Sequence, residues 1–192
     1  MWKNELLKTD EMREREKRRT AWRIRAIQCI AIAFLLGIAF GIIRARADTF
    51  PYSEDVPLAP AVQEYIWDKC EWSDKQFEYY CFTLGAIELE SSFNRKAVGH
   101  NKNGTVDRGL CQINSSRVDE MCKLGLIGSS QDLFDEYKNI DCAFELMDRY
   151  IEEFGVTESA YYAYNTGKVK EGSNKNSRAV MRNTQKWKEV LE

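Results

Sequence analysis

In the stretch GAIELESSFN, residues 85–94, two glutamates, Glu88 and Glu90, stand in an otherwise apolar run. A carboxylate taken out of water must be paired, hydrogen-bonded or protonated. A carboxyl group that stays protonated near neutral pH is a proton donor, which makes general acid catalysis the chemistry to look for. Metal chemistry is not expected. The chain holds a lone histidine, His100, and no Cys-x-x-Cys pair, so no ligand set for an ion is visible. No cofactor motif stands out either.

The element that must carry these glutamates is a helix. Ser73-Asp74-Lys75-Gln76 reads as a capping box opening a helix that runs to about Phe93. Wound at helical pitch, Phe77, Cys81, Leu84 and Ile87 form one apolar stripe and Phe82, Ala86, Leu89 and Phe93 another, so the helix is buried on nearly every side. Glu88 continues the first stripe, and Glu90 lies near Ala86 and Phe93, about 160° away. At least one carboxylate is therefore partly buried, and periodicity does not choose between them. Either could equally cap a turn or pair with Arg95 or Arg108.

Helical patterns also run through AVQEYIWDKC, IDCAFELMDRYIEEFG, TESAYYAY and SRAVMRNTQKWKEVLE. The polar stretch GHNKNGTVDRG, with a turn signal at Asn103-Gly104, reads as a short β-hairpin or an irregular loop. The class is mainly α with a small sheet.

The block AIELESSFNRKAVGHNKNGTVDRGLCQINSS, residues 86–116, resembles the lysozyme-like superfamily, in particular its bacterial lytic transglycosylase (SLT) domains. Glu90-Ser91-Ser92-Phe93-Asn94, Ala97 and Gly109-Leu110-Cys111-Gln112 match that family's Glu-Ser-x-Phe-Asn, Ala and Gly-Leu-x-Gln elements. Leu133-Phe134-Asp135 with Asn139-Ile140, and Ala163-Tyr164-Asn165-Thr166-Gly167, match two later motifs in order. The resemblance covers residues 61–192 and implies a lysozyme-like α+β fold.

It also implies a glycosidase that cuts the β-1,4 bond from N-acetylmuramic acid to N-acetylglucosamine in peptidoglycan. Glu90 would be the acid and Glu88 a structural or surface residue. The burial of Glu90 fits, because desolvation raises a carboxyl pKa towards the range a leaving-group acid needs; the handling of such a pair in lysozyme is the standard precedent. Asp107-Arg108-Gly109-Leu110-Cys111-Gln112-Ile113-Asn114-Ser115 further resembles the chicken-type lysozymes, whose second carboxylate follows the Glu by the same seventeen residues. Arg108 departs from them, replacing an aromatic residue, and could pair with Asp107 and hold it ionised.

A facing Asp107 at ~5–5.5 Å would suit a retaining hydrolysis. A transglycosylase works with one Glu while the muramic C6 hydroxyl attacks, leaving a 1,6-anhydro end. By the same resemblance Gln112 and Asn114 line the cleft and bind sugar. Tyr164, with Asn165 beside it, reaches towards the scissile bond, and Ser91 positions the acid or bonds its own backbone. A module that keeps the fold but only binds glycan is the competing class; Arg108 and Cys111 are the residues that favour it.

Charge is unevenly spread. Residues 1–25 hold nine Lys/Arg against five Asp/Glu, whereas from Asp48 onward there are 17 basic and 25 acidic residues, net −8. No phosphate-neutralising patch is visible, which sets nucleic acid aside. Ala26 to Ile43 is an apolar run of eighteen residues, about 27 Å long as a helix. With basic residues crowding its N-terminal side, it reads as a single-pass anchor with residues 1–25 cytoplasmic and the rest exported. A signal peptide ending at Ala47 is the alternative.

Residues 48–60, holding all three prolines, read as an exposed linker. Export would let two bridges form among Cys70, Cys81, Cys122 and Cys142, in any one of three possible pairings, with Cys111 a buried core residue, against the alternative that all thiols stay reduced. Peptidoglycan strands and the membrane are the expected partners. A tethered enzyme of this kind would suit an envelope-spanning secretion or conjugation apparatus.

Overall fold

The computed structural model describes residues 50–192. The expected anchor at 26–43 and basic segment at 1–25 lie outside the described residues. Among the described residues, no helix is long and apolar enough to cross a membrane. Pro51–Glu192 forms one compact unit. It is mainly helical with a small antiparallel sheet, consistent with a lysozyme-like α+β domain.

The unit begins earlier than the expected linker boundary at 60. Gln63 is fully buried in helix α1 (Pro60–Lys69). Its Nε2 donates to the carbonyls of Ser53 (3.0 Å) and Leu58 (2.9 Å), tying the proline-containing stretch to the domain. Pro60 suits the first turn of α1, where its missing N–H has no intrahelical partner to lose.

Helix α2 (Gln76–Ser91) carries the glutamates. The expected capping box at Ser73 does not form. The Ser73 hydroxyl instead accepts from the Lys75 N–H at 3.2 Å, a local turn, and the helix starts with no side-chain cap. The all-round burial is as the pattern required: Tyr79, Tyr80, Cys81, Phe82, Leu84 and Ile87 are each at most 1 % exposed.

At Gly85 the backbone comes so close to the C-terminal helix α6 (Lys175–Leu191) that an added Cβ would stand 2.8 Å from the Thr184 nitrogen and 3.0 Å from the Val180 oxygen. Asn183 Nδ2 donates to the Gly85 carbonyl across the same contact (3.2 Å). This crossing fixes the half of α2 that ends at Glu90. Beyond it the chain turns sharply through Ser92 (φ 51°) and Phe93 (φ 64°), two non-glycine residues in the left-handed region. Phe93 is held there edge-on to Trp187, with ring centroids 5.6 Å apart.

The polar stretch resolves into a hairpin, β1 (Val98–His100) with β2 (Val106–Arg108), extended by β3 (Ile113–Asn114) in the order β1-β2-β3. Register places Gly99, Asp107 and Asn114 side by side across the sheet. A 3₁₀ turn (Ser115–Arg117), the short helix α3 (Val118–Lys123) and a second 3₁₀ turn (Ser130–Phe134) follow. The long amphipathic helix α4 (Glu136–Phe154) and helix α5 (Glu158–Thr166) then lead to α6.

The expected disulfides are absent: Cys70, Cys81, Cys111, Cys122 and Cys142 are all free thiols. Burial keeps Cys70, Cys81, Cys111 and Cys142 neutral, pushing the Cys81 and Cys142 thiols up to about 12, and a neutral thiol neither attacks nor exchanges.

Candidate active site

Glu90, the penultimate residue of helix α2, stands at the wall of a cleft of about 630 Å³ between the sheet and helices α4 and α5, which Asp107 also lines. One carboxylate oxygen, Oε1, accepts a hydrogen bond from the Tyr161 hydroxyl. Behind it a small cavity of about 20 Å³ is walled by Ala86, Ile87, Cys111, Met147 and Tyr164. No cation reaches Glu90 among the described ion pairs. Burial therefore dominates and lifts its pKa to about 7; the Tyr161 bond pulls it down in part and the nearby Asp107 charge adds to the rise. Glu90 is thus a carboxylic acid that can hold a proton near neutral pH and lose it there.

Glu88 meets the opposite surroundings. Its oxygens accept from Lys186 Nζ (2.6 Å) and Trp187 Nε1 (2.9 Å) on α6, away from the cleft. It is structural, as the family match implied, and its partner is Lys186 rather than Arg95 or Arg108.

Asp107 is held by amides. Asn114 Nδ2 donates to one oxygen at 2.6 Å and Asn101 Nδ2 to the other at 2.8 Å. The expected Arg108 pairing does not form. Successive residues of a strand point to opposite faces, so Arg108 leaves β2 on the side away from Asp107. The carboxylate is presented on the cleft by neutral donors.

The remaining expected site residues divide between lining and scaffold. Asn114 orients Asp107 with its amide, donates also to Thr105 Oγ1 (2.9 Å), and caps the 3₁₀ turn with its Oδ1. Gln112 (φ 50°) lines the cleft, but its Nε2 is spent on the carbonyls of Gly109 (2.8 Å) and Ala97 (3.2 Å). Asn165 lines the cleft and accepts from Asn174 Nδ2 at 3.1 Å. Ser91 does not reach the cleft. Its hydroxyl bonds back to the Ile87 carbonyl one turn earlier (3.3 Å), the local alternative open to a serine at a helix end.

Tyr164 lines the cleft, yet its hydroxyl donates to the Cys111 carbonyl (3.2 Å). The tyrosine on the acid is the fully buried Tyr161, which the motif did not single out. The two are three residues apart on α5 and share a face, their rings 5.9 Å apart, so spacing alone does not distinguish them.

Asn139 is a second residue whose role only the fold reveals. Fully buried on α4, it donates to the carbonyls of Arg108 and Leu133 (both 2.9 Å) and accepts from the Cys111 N–H (2.7 Å). This clamp holds the β2–β3 connection against the helical half. Gly109 lies under it with φ +81°, and a Cβ there would stand 2.0 Å from the Leu133 oxygen. Asn139 was visible in sequence only as part of the Asn-Ile motif.

Among the described residues no group of His, Cys, Asp and Glu is placed to hold a metal ion. Cys111 is buried, as expected of a core residue.

A buried helix carrying a raised-pKa glutamate, above a cleft whose other wall is a small antiparallel sheet, is the arrangement of a lysozyme-like α+β domain. Residues 74–188, more than half of the chain, match the transglycosylase SLT domain model, and the chain belongs to that family. It is similar to the invasion protein IagB of Salmonella typhimurium, 33% identical over 104 residues that cover 53% of this chain and 64% of the relative. It is similar also to the protein IpgF of Shigella flexneri, 33% identical over 107 residues with the same coverage. The chain thus spans somewhat less than two thirds of the length of these curated relatives. The solved structure of Bd0314 DslA, wild-type form 2, superposes with a TM-score of 0.41 at 18% identity, covering 71% of this chain and 82% of that one.

Proposed function

We propose that this protein is a lytic transglycosylase, cleaving the β-1,4 bond between N-acetylmuramic acid and N-acetylglucosamine in peptidoglycan and leaving a 1,6-anhydro end. The observation that carries the reading is Glu90: a buried acid without a cation, poised near pH 7 on a cleft wide enough for sugar rings, in a chain of the SLT family. With Oε1 occupied by the Tyr161 hydroxyl, the acid proton stands on Oε2. It passes to the glycosidic oxygen as the C1–O bond breaks. The resulting carboxylate then takes the proton of the muramic C6 hydroxyl, whose oxygen attacks C1 and closes the anhydro ring. One residue serves first as acid and then as base, and no cofactor is needed.

Asp107 favours a second reading, hydrolysis to a reducing muramyl end. It lines the same cleft, and its carboxylate is held there by two neutral amide donors and by no cation among the described ion pairs. In that case it acts as nucleophile or as stabiliser of the oxocarbenium ion.

Mass spectrometry of purified peptidoglycan digested with the protein separates the two. Anhydro-muramyl products support the transglycosylase, reducing muramyl products the hydrolase, and the absence of cleavage from several walls would leave a binding module. The setting belongs to the same proposal: a single-pass anchor at 26–43 with the domain exported, working beside an envelope-spanning secretion or conjugation apparatus. The similarity to a protein named for invasion agrees with such a setting. Protease protection of the domain in intact spheroplasts would count against the export.

A further inference from the structure

Basic residues are gathered in one part of an acidic domain. From Asp48 onward the chain holds 17 Lys/Arg and 25 Asp/Glu, and residues 168–188 alone hold seven of the former and one of the latter. Two of the seven tie α6 to α2, Lys186 pairing with Glu88 and Lys188 with Glu78. The other five, Lys168, Lys170, Lys175, Arg178 and Arg182, are exposed and enter no ion pair among the described residues.

Helical winding explains where three of them stand. Ser177, Val180, Thr184 and Trp187 are the buried face of α6. Lys175, Arg178 and Arg182, at i, i+3 and i+7, leave the opposite side, in a row about 10 Å long. Arg178 Nη1 donates to Ser173 Oγ (2.7 Å) and Arg182 Nη1 to the Arg178 carbonyl (3.2 Å). The Ser173 bond joins the row to the α5–α6 loop, where Val169, 68 % exposed, stands between Lys168 and Lys170. Three acids border this face: Glu171 in the loop, Glu158 behind Arg178, and Glu189 two turns past Arg182. Against five cations outside any ion pair they leave it positive.

We propose that this face, the outer row of α6 with the Lys168-Val169-Lys170 tip, docks on anionic phospholipid headgroups and lays the domain against the membrane. The choice of lipid rests on the reading of residues 26–43 as an anchor. On that reading seven residues, 44–50, separate Ile43 from Pro51, where the compact unit begins. Fully extended they reach about 25 Å, so the domain stays beside the bilayer. A convex helix ridge offers no groove to a polymer strand, whereas a row of cations along it meets a plane of phosphates. The apolar tip between two lysines adds contact at the headgroup boundary. The acidic remainder of the surface is repelled by the same headgroups, which decides the face that lies down. Thr166 and Gly167, which line the cleft, lead directly into the tip, so docking sets that end of the cleft on the membrane side.

The test uses the full chain on nanodiscs of phosphatidylcholine alone and of phosphatidylcholine with phosphatidylglycerol, with lysine acylation read by mass spectrometry. On the anionic discs Lys168, Lys170 and Lys175 should label severalfold more slowly. Lys75 and Lys123, exposed elsewhere on the domain, should keep one rate on both. Arg178→Gln combined with Arg182→Gln leaves the reporting lysines in place and should return the fast rate, since each cation is worth about fivefold in attraction to such a surface. Raised salt should do the same. The intact mass of protein extracted from membranes reads the anchor separately, by whether residues 1–47 are present.

Equal labelling on the two kinds of disc would overturn the docking face, and with residues 1–47 present the anchor would stand without it. Protein lacking those residues would overturn the anchor, while slower labelling of its three lysines on added anionic discs would keep the face. Slowing by peptidoglycan sacculi and not by anionic discs would overturn lipid as the occupant.

Discussion

Glu88 and Glu90 leave the same helix two residues apart and face opposite halves of the domain. Glu88 turns to α6 and finds a lysine and an indole N–H, one donor for each oxygen. Glu90 turns to the cleft and finds a tyrosine hydroxyl, an apolar cavity and the like charge of Asp107. One surrounding stabilises the anion and ties two helices together. The other penalises the anion and leaves a transferable proton. The identity of the residue is the same, and the presence or absence of a cation on the packed face decides its use.

Replacing each glutamate by glutamine, which keeps shape and removes charge, should separate these roles. Glu90→Gln should lower release of soluble muropeptides by about 10²–10⁴, the usual worth of a general acid. A Glu90→Gln protein that still degrades wall at the parental rate would end the equivalence between burial and catalysis. The same variant should gain stability in a pH-dependent way. The folded-state pKa of Glu90 is raised from an unfolded value of ~4.3 to about 7. Stability tied to this group is therefore fully present below pH ~4.3 and is lost as pH rises through 7. Melting temperatures of parent and variant should diverge with rising pH across that window and run parallel above it.

The Gly109 clamp joins the sheet half to the helical half, and Gly109→Ala should disrupt it by ~3 kcal/mol or more, since both the clash and the positive φ oppose a side chain. Chemical denaturation would measure this, and a change below 1 kcal/mol would show that the Leu133 and Asn139 side yields. Tyr161→Phe removes the one donor on the acid. The Glu90 pKa should rise further, moving the alkaline limb of the activity profile up by about one pH unit. An unmoved limb would make Tyr161 a packing residue only. Glu88→Gln should be the mildest, costing about 0.2–1 kcal/mol for the loss of a half-exposed ion pair and altering turnover little.

The same contrast explains what could be read in advance. The buried helix and the hairpin region were legible because they rest on periodicity and turn signals, and the local motif pointed to Glu90, the glutamate that lines the cleft, over Glu88. What sequence could not supply were contacts made across the fold. Tyr161 and Tyr164 share a helical face, and only the packing of α5 against α2 determines which hydroxyl meets Glu90. Arg108 was assigned to Asp107 by adjacency in sequence, whereas a strand sends adjacent side chains to opposite faces. Ser73 carries the signature of a cap, yet its hydroxyl closes a turn two residues on and the helix begins later. Gln112 and Asn114 were expected to spend their amides on sugar and spend them on the scaffold that presents Asp107.

The central claim is that Glu90 holds its proton near neutral pH because it is buried without a cation. Carbon-13 NMR of glutamate-labelled protein, with Glu90→Gln used to assign the signal, reads that titration directly. A Glu90 carboxyl midpoint near pH 7 is the predicted result. A midpoint at the ordinary ~4.3 of an exposed glutamate would contradict the account.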